Sequence, residues 1–422
     1  MKYDKLFMGS YNLHLINIDK FKTITVEVDF RSKLNDDTTI RNLLKMVLLD
    51  SNMNYKTERD LVKETENLYD LKLVSSTNRI GSNSNISFKL RFLNEIYTES
   101  GMNEESILFL LSLIFNPNVI NNEFNNDIVN KCKEKLKKTI ISIKDSKPKY
   151  ALLKLLETTK DMPYSKNGYG DINELDKIDG KVLYEYYKNM LKNDLIDVFV
   201  IGEFDNEKMK DLFRENFKIE TFKKSSSSLL VPELTKKKRV NTFKEYDDVN
   251  QTQLTILCSL NGLTKEERSY AIRVYNEILG GSSTSMLFTN VRGDNSLCYY
   301  INSLVKPYDN ILLIYSGISN ENVSKALKLI KKTMTNISNG KIPDELLKSS
   351  IETITSSITT SMDNPNAIID TYYAKELVDS EIFEDRIKKF NEITKQDIIN
   401  VSKKVSIYNI LTLEKGDNNE ED

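Results

Sequence analysis

Residues 278–300, ILGGSSTSMLFTNVRGDNSLCYY, have the residue types of a phosphate-binding loop, because two adjacent glycines precede small hydroxyl side chains. A Walker loop needs a second glycine five residues after the first and then Lys and Ser or Thr, since backbone amides and the lysine together neutralise the phosphates. Here Ser285 stands five residues after Gly280, and Met286 follows it. The dinucleotide fingerprint G-x-G-x-x-G does not occur here either. The stretch therefore predicts no nucleotide site.

Nucleophilic catalysis by a serine in this stretch is equally unsupported. The motif G-x-S-x-G does not occur around Ser282–Ser285, and the single histidine of the chain, His14, is remote in sequence. We expect His14 to pack in or near an N-terminal strand. The simplest interpretation of the glycine pair is a helix C-cap at Gly280 or Gly281, with a serine or threonine starting the next helix.

Length and composition indicate a folded protein with more than one domain. The chain has 422 residues, which is more than one hydrophobic core usually supports, and 39% of them are hydrophobic. Sixty basic and 62 acidic side chains give a net charge of -2. This balance argues against a nucleic-acid or anionic-membrane partner and favours a small neutral ligand or a peptide.

The chain shows no targeting segment and no thiol chemistry. Its N-terminus lacks an apolar stretch of signal-peptide length, and no apolar run is long enough to span a membrane, so we predict a cytoplasmic protein. Cys132, Cys258 and Cys298 lie far apart without C-x-x-C spacing. This spacing argues against a disulfide framework and a thiolate metal site, and we expect each cysteine to be a small core residue.

A similar order of strands and helices occurs in both halves of the chain. The first half has alternating, β-branched strands at FKTITVEVDF, LKLVSSTNRI and ISFKLRFL, then a helix over 124–140 and a strand at LIDVFVIGEFD. The second half has a strand at TQLTILCSL, a helix over 266–279, a strand pair at SLCYYINSLV and NILLIYSGI, further helices and a last strand at SIYNILTLE. The pattern predicts an α+β protein of two similar domains, each a mostly antiparallel sheet with helices packed on it.

The clearest boundary is KKSSSSLLVPELTKKKRV, where a serine run, a proline and two basic clusters interrupt the apolar periodicity. We predict an N-terminal domain over 1–222, a linker over 223–240, a C-terminal domain over 241–417 and a solvated acidic tail over 418–422.

Taken whole, the stretch after residue 279 has a more specific pattern. A helix ends in Leu-Gly-Gly, a serine-rich turn follows, a second helix covers 286–292, and Leu-Cys-Tyr-Tyr opens a strand at 297–300. This unit resembles the second-domain signature of the pitrilysin/insulinase zinc peptidases, in their short two-domain form akin to the processing-peptidase subunits. The resemblance implies two domains that form half of a clamshell. It also implies that Arg292 and Tyr299 bind substrate, with Tyr300 as the alternative if the register slips by one residue.

Catalytic members of that family hold zinc through H-x-x-E-H on a first-domain helix and a later glutamate. A chain with one histidine cannot supply this motif. The helix RNLLKMVLLDSN places Asn42, Lys45 and Met46 where His, Glu and His would stand, and an ammonium group at position 45 repels a dication. The third ligand would fall near 128–133, a segment without a carboxylate. We therefore expect a degenerate metal motif and no metal in this chain.

The resemblance implies a non-catalytic, substrate-binding subunit of a heterodimeric zinc peptidase, inactive alone. Its partner would be a homologous chain that carries H-x-x-E-H and the zinc, and the two would share a peptide substrate. The guanidinium and the phenol hydroxyl suit a peptide carbonyl as hydrogen-bond donors. A metal-free peptide-binding or scaffold protein on the same fold is the alternative. An enzyme of another kind, using paired carboxylates, is a third possibility.

Overall fold

The computed structural model describes residues 1–217, 219, 229–235 and 237–416. Within the predicted linker, 223–228 and 236 lie outside the described residues, and the predicted acidic tail 418–422 lies wholly outside them. The domain boundaries at 222 and 241 therefore stay predictions.

The strands follow the chain in an order close to the one predicted. They are β1 (Lys2–Phe7), β2 (Asn12–Asn17), β3 (Thr23–Lys33), β4 (Lys72–Ile80), β5 (Asn83–Leu93), β6 (Val119–Ile120), β7 (Glu123–Phe124), β8 (Leu195–Gly202), β9 (Asn241–Asp247), β10 (Thr252–Ser259), β11 (Cys298–Lys306), β12 (Ile311–Ile318) and β13 (Ser406–Lys415).

The described residues also form α-helices, together with π-helical segments at Glu267–Ala271, Glu277–Gly281 and Phe288–Gly293. They are α1 (Thr38–Leu48), α2 (Glu58–Asn67), α3 (Met102–Phe115), α4 (Asn126–Ser142), α5 (Lys147–Glu157), α6 (Ile172–Leu175), α7 (Gly180–Asn193), α8 (Asn206–Asn216), α9 (Ile272–Asn276), α10 (Val323–Ser338), α11 (Asp344–Ser361), α12 (Pro365–Val378), α13 (Phe383–Asn391) and α14 (Lys395–Ser402). None of the helices in the described ranges has the length and apolarity needed to cross a membrane.

The chain forms two compact units, and each includes a short segment from the other half of the sequence. The first unit comprises 1–141, 167–229 and 364–373. The second comprises 142–166, 230–363 and 374–422. Local periodicity does not predict this exchange of segments, because it carries no information about which sheet a helix covers.

The two units have sheets of the same topology. The first sheet has the order β1-β2-β8-β3-β5-β4, and the second has the order β9-β13-β10-β12-β11 when listed in the corresponding direction. In each sheet the last strand of the unit pairs in parallel with one neighbour, β2 with β8 and β9 with β13, and the other pairs are antiparallel. The prediction of two similar, mostly antiparallel α+β domains is confirmed.

Strand alternation separates two faces of each sheet. In the first unit Ile24, Val26, Val28 and Phe30 of β3 point into the helix-covered hydrophobic core. In the second unit both faces of the sheet are apolar, and α5 supplies Ala151 and Leu155 to the smaller of the two cores. Burial raises the pKa of the Cys132 and Cys258 thiols to about 12, which agrees with their predicted role as core residues.

The other face of the first sheet is polar although it is buried. His14 lies on β2 as expected, where its ring stacks on Phe199 with centroids 4.2 Å apart and its Nε2 lies 3.3 Å from Asp197 Oδ1. The first part of α12 covers this face, and the Tyr373 ring lies 6.1 Å from that of Phe199. Burial alone would disfavour ionisation of Asp197. However, hydrogen bonds from His14 and Asn12 together with the Arg31 guanidinium outweigh it and lower the Asp197 pKa to about 2.

Two other carboxyl groups on this face respond in the opposite direction. Asp29 is 1% exposed and Glu27 is 6% exposed. Burial raises the pKa of Asp29 well above its usual value, and the neighbouring Glu27 charge adds to the effect. Burial also raises the pKa of Glu27, against the opposing charge of Lys89 at 2.8 Å. The groups that face Asp29 from the packed elements are Glu27, Arg31, Lys89, Asp197, Asp370 and Tyr373.

We predict that Asp29 makes the first unit less stable as the pH rises. A carboxyl whose folded pKa exceeds its unfolded value contributes most below the unfolded pKa, about 3.9 for Asp, and that contribution is lost as the pH rises through the folded pKa. The free energy of unfolding of the wild type, relative to Asp29→Asn, is expected to fall as the pH rises above the unfolded pKa of about 3.9 and to level off above the folded pKa. Chemical denaturation at several pH values measures this difference.

The matched control is Asp19→Asn, because Asp19 is exposed in the turn between β2 and β3. This control is expected to run parallel to the wild type across the same pH range. A difference between wild type and Asp29→Asn that is constant with pH would contradict the prediction.

Candidate functional site

Helix α1 carries the positions that correspond to the zinc motif, and a buried arginine fixes the helix to the first unit. The apolar residues Leu43, Leu44, Val47 and Leu48 face the core, as the spacing of the helical stripe predicts. Arg41 is 1% exposed.

Arg41 binds groups from three other parts of the unit. Its Nη2 donates to Asp194 Oδ2 at 2.9 Å and to the Phe30 carbonyl at 2.8 Å, and its Nη1 donates to Tyr186 Oη at 3.1 Å. Asp37, the residue before the helix, accepts from Tyr186 and lies 3.6 Å from the guanidinium. Burial opposes the charge of Arg41, but these carboxylates raise its pKa above the usual value.

Asn42, at the first histidine position of the motif, is buried and engaged in hydrogen bonds. Its Nδ2 donates to the carbonyls of Thr38 at 3.0 Å and Gly168 at 2.9 Å, and its Oδ1 accepts from Thr77 Oγ1 at 2.6 Å. The amide oxygen is thus engaged by a hydroxyl donor, and the amide nitrogen has no lone pair for a metal.

Lys45 stands where the motif has its glutamate, and it is half-buried. Its Nζ lies 3.4 Å from Thr77 Oγ1, so Lys45 and Asn42 meet at the same hydroxyl group. Burial lowers the pKa of Lys45. Across the described ranges, Lys45 makes no ion pair with a carboxylate.

Met46 and the segment of the third ligand also offer no metal donor set. Met46 packs against the hydrophobic core of the first unit. In the segment 128–133, Lys131 forms ion pairs at 2.8 Å with both Asp50 and Glu58, which are the carboxylates closest to it. An amide, an ammonium, a thioether and a second ammonium do not match the imidazole and carboxylate ligands of zinc. The described part of the chain contains no group of three or more His, Cys, Asp or Glu side chains arranged for a metal.

In the second unit, a close contact between a helix and a strand explains the glycine pair. The helical residues after α9 end at Gly281, and Ser282 is extended with φ -132°. A Cβ on Gly280 would lie 2.8 Å from the backbone nitrogen of Ser303 in β11, so only glycine lets the helix approach the strand this closely. The helix thus ends within one residue of the predicted C-cap at Gly280 or Gly281, although neither glycine has positive φ.

The serine-rich turn leads into the helix that carries Arg292. Ser285 is fully buried, and its hydroxyl accepts from the Phe288 backbone N–H at 3.4 Å, so it stabilises the start of the next helical turn. The hydroxyls of Ser282 and Thr284 lie 3.2 Å apart. These hydroxyls make hydrogen bonds within the turn.

Arg292 and Tyr299 are both exposed and lie next to each other. The Arg292 Cζ lies 4.9 Å from the ring centroid of Phe288 and 5.9 Å from that of Tyr299, so the guanidinium stacks against two aromatic rings. Tyr299 is 73% exposed. Tyr300 is half-buried, and its hydroxyl donates to Gln253 Oε1 at 2.5 Å. Of the two tyrosines, Tyr299 is the one accessible to a ligand.

Comparison with known proteins extends the resemblance from the motifs to the whole chain. The family model described as "Peptidase M16 inactive domain" matches residues 177–354. The probable inactive metalloprotease YmfF of Bacillus subtilis is 27% identical over 405 residues, which is 94% of each chain. The chain is therefore similar to the M16, or pitrilysin, peptidases, and the similarity to YmfF extends over nearly its whole length.

Solved structures share the fold of this chain. A conserved protein from Enterococcus faecalis is 25% identical, covers 100% of both chains and superposes with a TM-score of 0.91. The M16 inactive domain from Pseudomonas fluorescens shares 14% identity and the same fold, with a TM-score of 0.80 over 99% of this chain and 98% of that one. The residues at the motif positions of α1 agree with the description of the similar proteins as inactive.

Three residues near the candidate sites make contacts that were not predicted from the sequence. Phe288 stands four residues before Arg292 on a helix, so the i,i+4 spacing could have indicated their contact. Thr77 and Arg41 gave no such signal, because their partners lie far away in sequence.

We predict that Arg41→Met destabilises the first unit by about 3–5 kcal/mol, because it removes the buried ion pair at 2.9 Å between the guanidinium and the Asp194 carboxylate. The exposed pair Arg214–Asp211 provides the control, since its side chains are 55% and 53% exposed. Arg214→Met is expected to change the free energy of unfolding by less than about 1 kcal/mol. Urea denaturation measures both, and similar small losses in the two variants would contradict the anchoring role of Arg41.

Proposed function

We propose that this chain is the substrate-binding subunit of a two-chain zinc peptidase. It holds a peptide for a homologous partner that carries H-x-x-E-H and the zinc. The observation that carries the proposal is the exposed Arg292 guanidinium beside the Tyr299 ring, 5.9 Å from its centroid. Among the described residues Arg292 makes no ion pair, so its N–H groups are available for a peptide carbonyl or carboxylate.

The chemistry of the pair suits a peptide bond. Stacking against Phe288 and Tyr299 restricts the guanidinium to one plane, which reduces the entropy lost when it binds. A guanidinium and a phenol hydroxyl that hold the carbonyl oxygen would orient the scissile bond and stabilise the negative charge that develops on that oxygen. The zinc of the partner would activate water, a step for which this chain has no ligands.

The similarity to the M16 peptidases supports this role, because the chain has both sheets of the fold and lacks the zinc ligands on α1. Both sheets of the fold are present in the described residues, while the motif positions of α1 carry neither an imidazole nor a carboxylate. The alternative is a metal-free peptide-binding or scaffold protein that works without a zinc-bearing partner.

The first experiment is affinity purification of the tagged chain from its own cells at moderate salt, followed by mass spectrometry and zinc analysis. The expected result is a second chain of similar length in near-stoichiometric amount, with H-x-x-E-H in its sequence and zinc in the complex. If the chain elutes alone and free of zinc, the two-chain proposal fails. Peptide binding by the lone chain would then support the alternative.

With the complex in hand, we predict that Arg292→Ala lowers kcat/KM for peptide cleavage about 10- to 100-fold, the effect of losing one or two hydrogen bonds to a charged donor. The variant is expected to fold normally, because Arg292 is exposed. Arg239→Ala is the control, since Arg239 is an exposed arginine of the same unit.

Tyrosine variants separate binding from structure at the same site. Tyr299→Phe removes an exposed hydroxyl and is expected to lower cleavage without lowering thermal stability. Tyr300→Phe removes the hydrogen bond to Gln253 and is expected to affect mainly stability. Unchanged cleavage in both Arg292→Ala and Tyr299→Phe would exclude a role of the pair in substrate binding.

A further inference from the structure

The ammonium group of Lys45 is partly shielded from water and has no counter-ion in the part of the chain that the structure describes. Thr77 Oγ1 lies 3.4 Å from its Nζ, and the hydroxyl proton of Thr77 is donated to Asn42, so Thr77 accepts from the lysine. No carboxylate oxygen of the described residues lies within 4.0 Å of the Lys45 Nζ. A cation in this position attracts an anion more strongly than one in bulk water, because the local dielectric is lower.

The strand β4, which lies beside Lys45, also carries side chains that can donate hydrogen bonds to an anion. Side chains alternate along β4, so Leu73, Ser75, Thr77 and Arg79 share the face that contacts α1. The Ser75 and Thr77 hydroxyls stand on this face, and none of its four positions is acidic. Ammonium and hydroxyl donors together match the two oxygens of a carboxylate.

The position of β4 in the sheet makes this face accessible to a peptide. β4 is an edge strand, and within the described sheet it pairs only with β5. An edge strand presents backbone N–H and C=O groups to which an extended peptide can add as a further strand. A peptide paired along the nine residues of β4 would pass Thr77 and come within reach of Lys45.

We propose that Lys45 binds a peptide carboxylate at the place on α1 where catalytic members have the glutamate of H-x-x-E-H. This inference deepens the proposed function and rests on peptide binding by this chain. The carboxylate would come from the C-terminus of the peptide or from an Asp or Glu side chain. Since hydrolysis of a peptide bond creates a free carboxylate, a C-terminal preference would make this chain hold cleaved peptides more tightly than intact ones.

The test uses the full purified chain and fluorescent pools of randomised nonapeptides, with binding followed by anisotropy. One pool has free C-terminal carboxylates, and the second has the same sequences with C-terminal amides. Two further amide pools contain a central Glu or a central Gln. We expect the wild type to bind one carboxylate form about tenfold more tightly than its neutral counterpart. The C-terminal pair and the Glu/Gln pair show which source is bound.

Variants of Lys45 connect the preference to this side chain. Lys45→Met is expected to bind both forms equally, while Lys45→Arg keeps a preference of several-fold because the charge remains. Lys63→Met is the control, since Lys63 is an exposed lysine on α2 of the same unit. Thermal unfolding should show Lys45→Met to be at least as stable as the wild type, because it removes a partly buried charge without a partner.

The outcomes separate this inference from the proposed function. If all pools bind the wild type equally, or if Lys45→Met keeps the preference, the role of Lys45 is wrong while peptide binding stands. If no pool binds the chain or its complex with the partner, both the inference and the proposed function fail.

Discussion

The buried ion pair between Arg41 and Asp194 determines where α1 lies on the first sheet. Removing a guanidinium from water is costly, and hydrogen bonds from its Nη atoms together with nearby carboxylates offset that cost. Here the acceptors are the carbonyl of Phe30 on β3, the Tyr186 hydroxyl on α7 and Asp194 before β8. A shift of α1 by one residue would break these contacts. Asn42 and Lys45 follow on the same helix, so their meeting with Thr77 depends on this anchor.

This arrangement explains how a peptidase fold persists after the metal donors are lost. The contacts that place α1 come from Arg41, which is not one of the three motif positions. Substitutions at 42, 45 and 46 therefore change the chemistry of the helix face without moving the helix. Asn42 is satisfied by the carbonyl of Gly168 and the hydroxyl of Thr77, so the former first ligand position now contributes to packing between the helix, a loop and β4.

The sequence predicts local features of this protein better than distant ones. Alternation in β3 and β10 and the helical stripe of α4 depend on neighbouring residues, and these elements are present close to the predicted positions. The parallel pairs β2–β8 and β9–β13 join strands far apart in the chain, and no local signal indicates them. The periodicity of the sequence likewise does not indicate the exchange of segments between the units.

The same limit applies to the candidate sites. The spacing of Arg292 and Tyr299 could be read directly, and the structure shows that both are exposed and adjacent. The replacement of the zinc motif also follows from residue types alone. In contrast, the contact of Lys45 with Thr77 spans 32 residues and depends on the pairing of β4 with β5. The glycine pair was expected to end a helix through its backbone freedom, whereas Gly280 is required by the nearness of Ser303.

The segment 364–373 has a consequence for the order in which the protein forms during synthesis. This segment covers the charged face of the first sheet, yet the ribosome makes it long after the strands that it covers. In the second unit the order is reversed. Its segment 142–166 comes from the first half of the chain and is synthesised before the strands of that unit. The N-terminal unit is therefore translated first but cannot be finished until the last sixth of the chain appears. Until then the carboxyl groups on this face lack the cover that α12 provides in the folded unit.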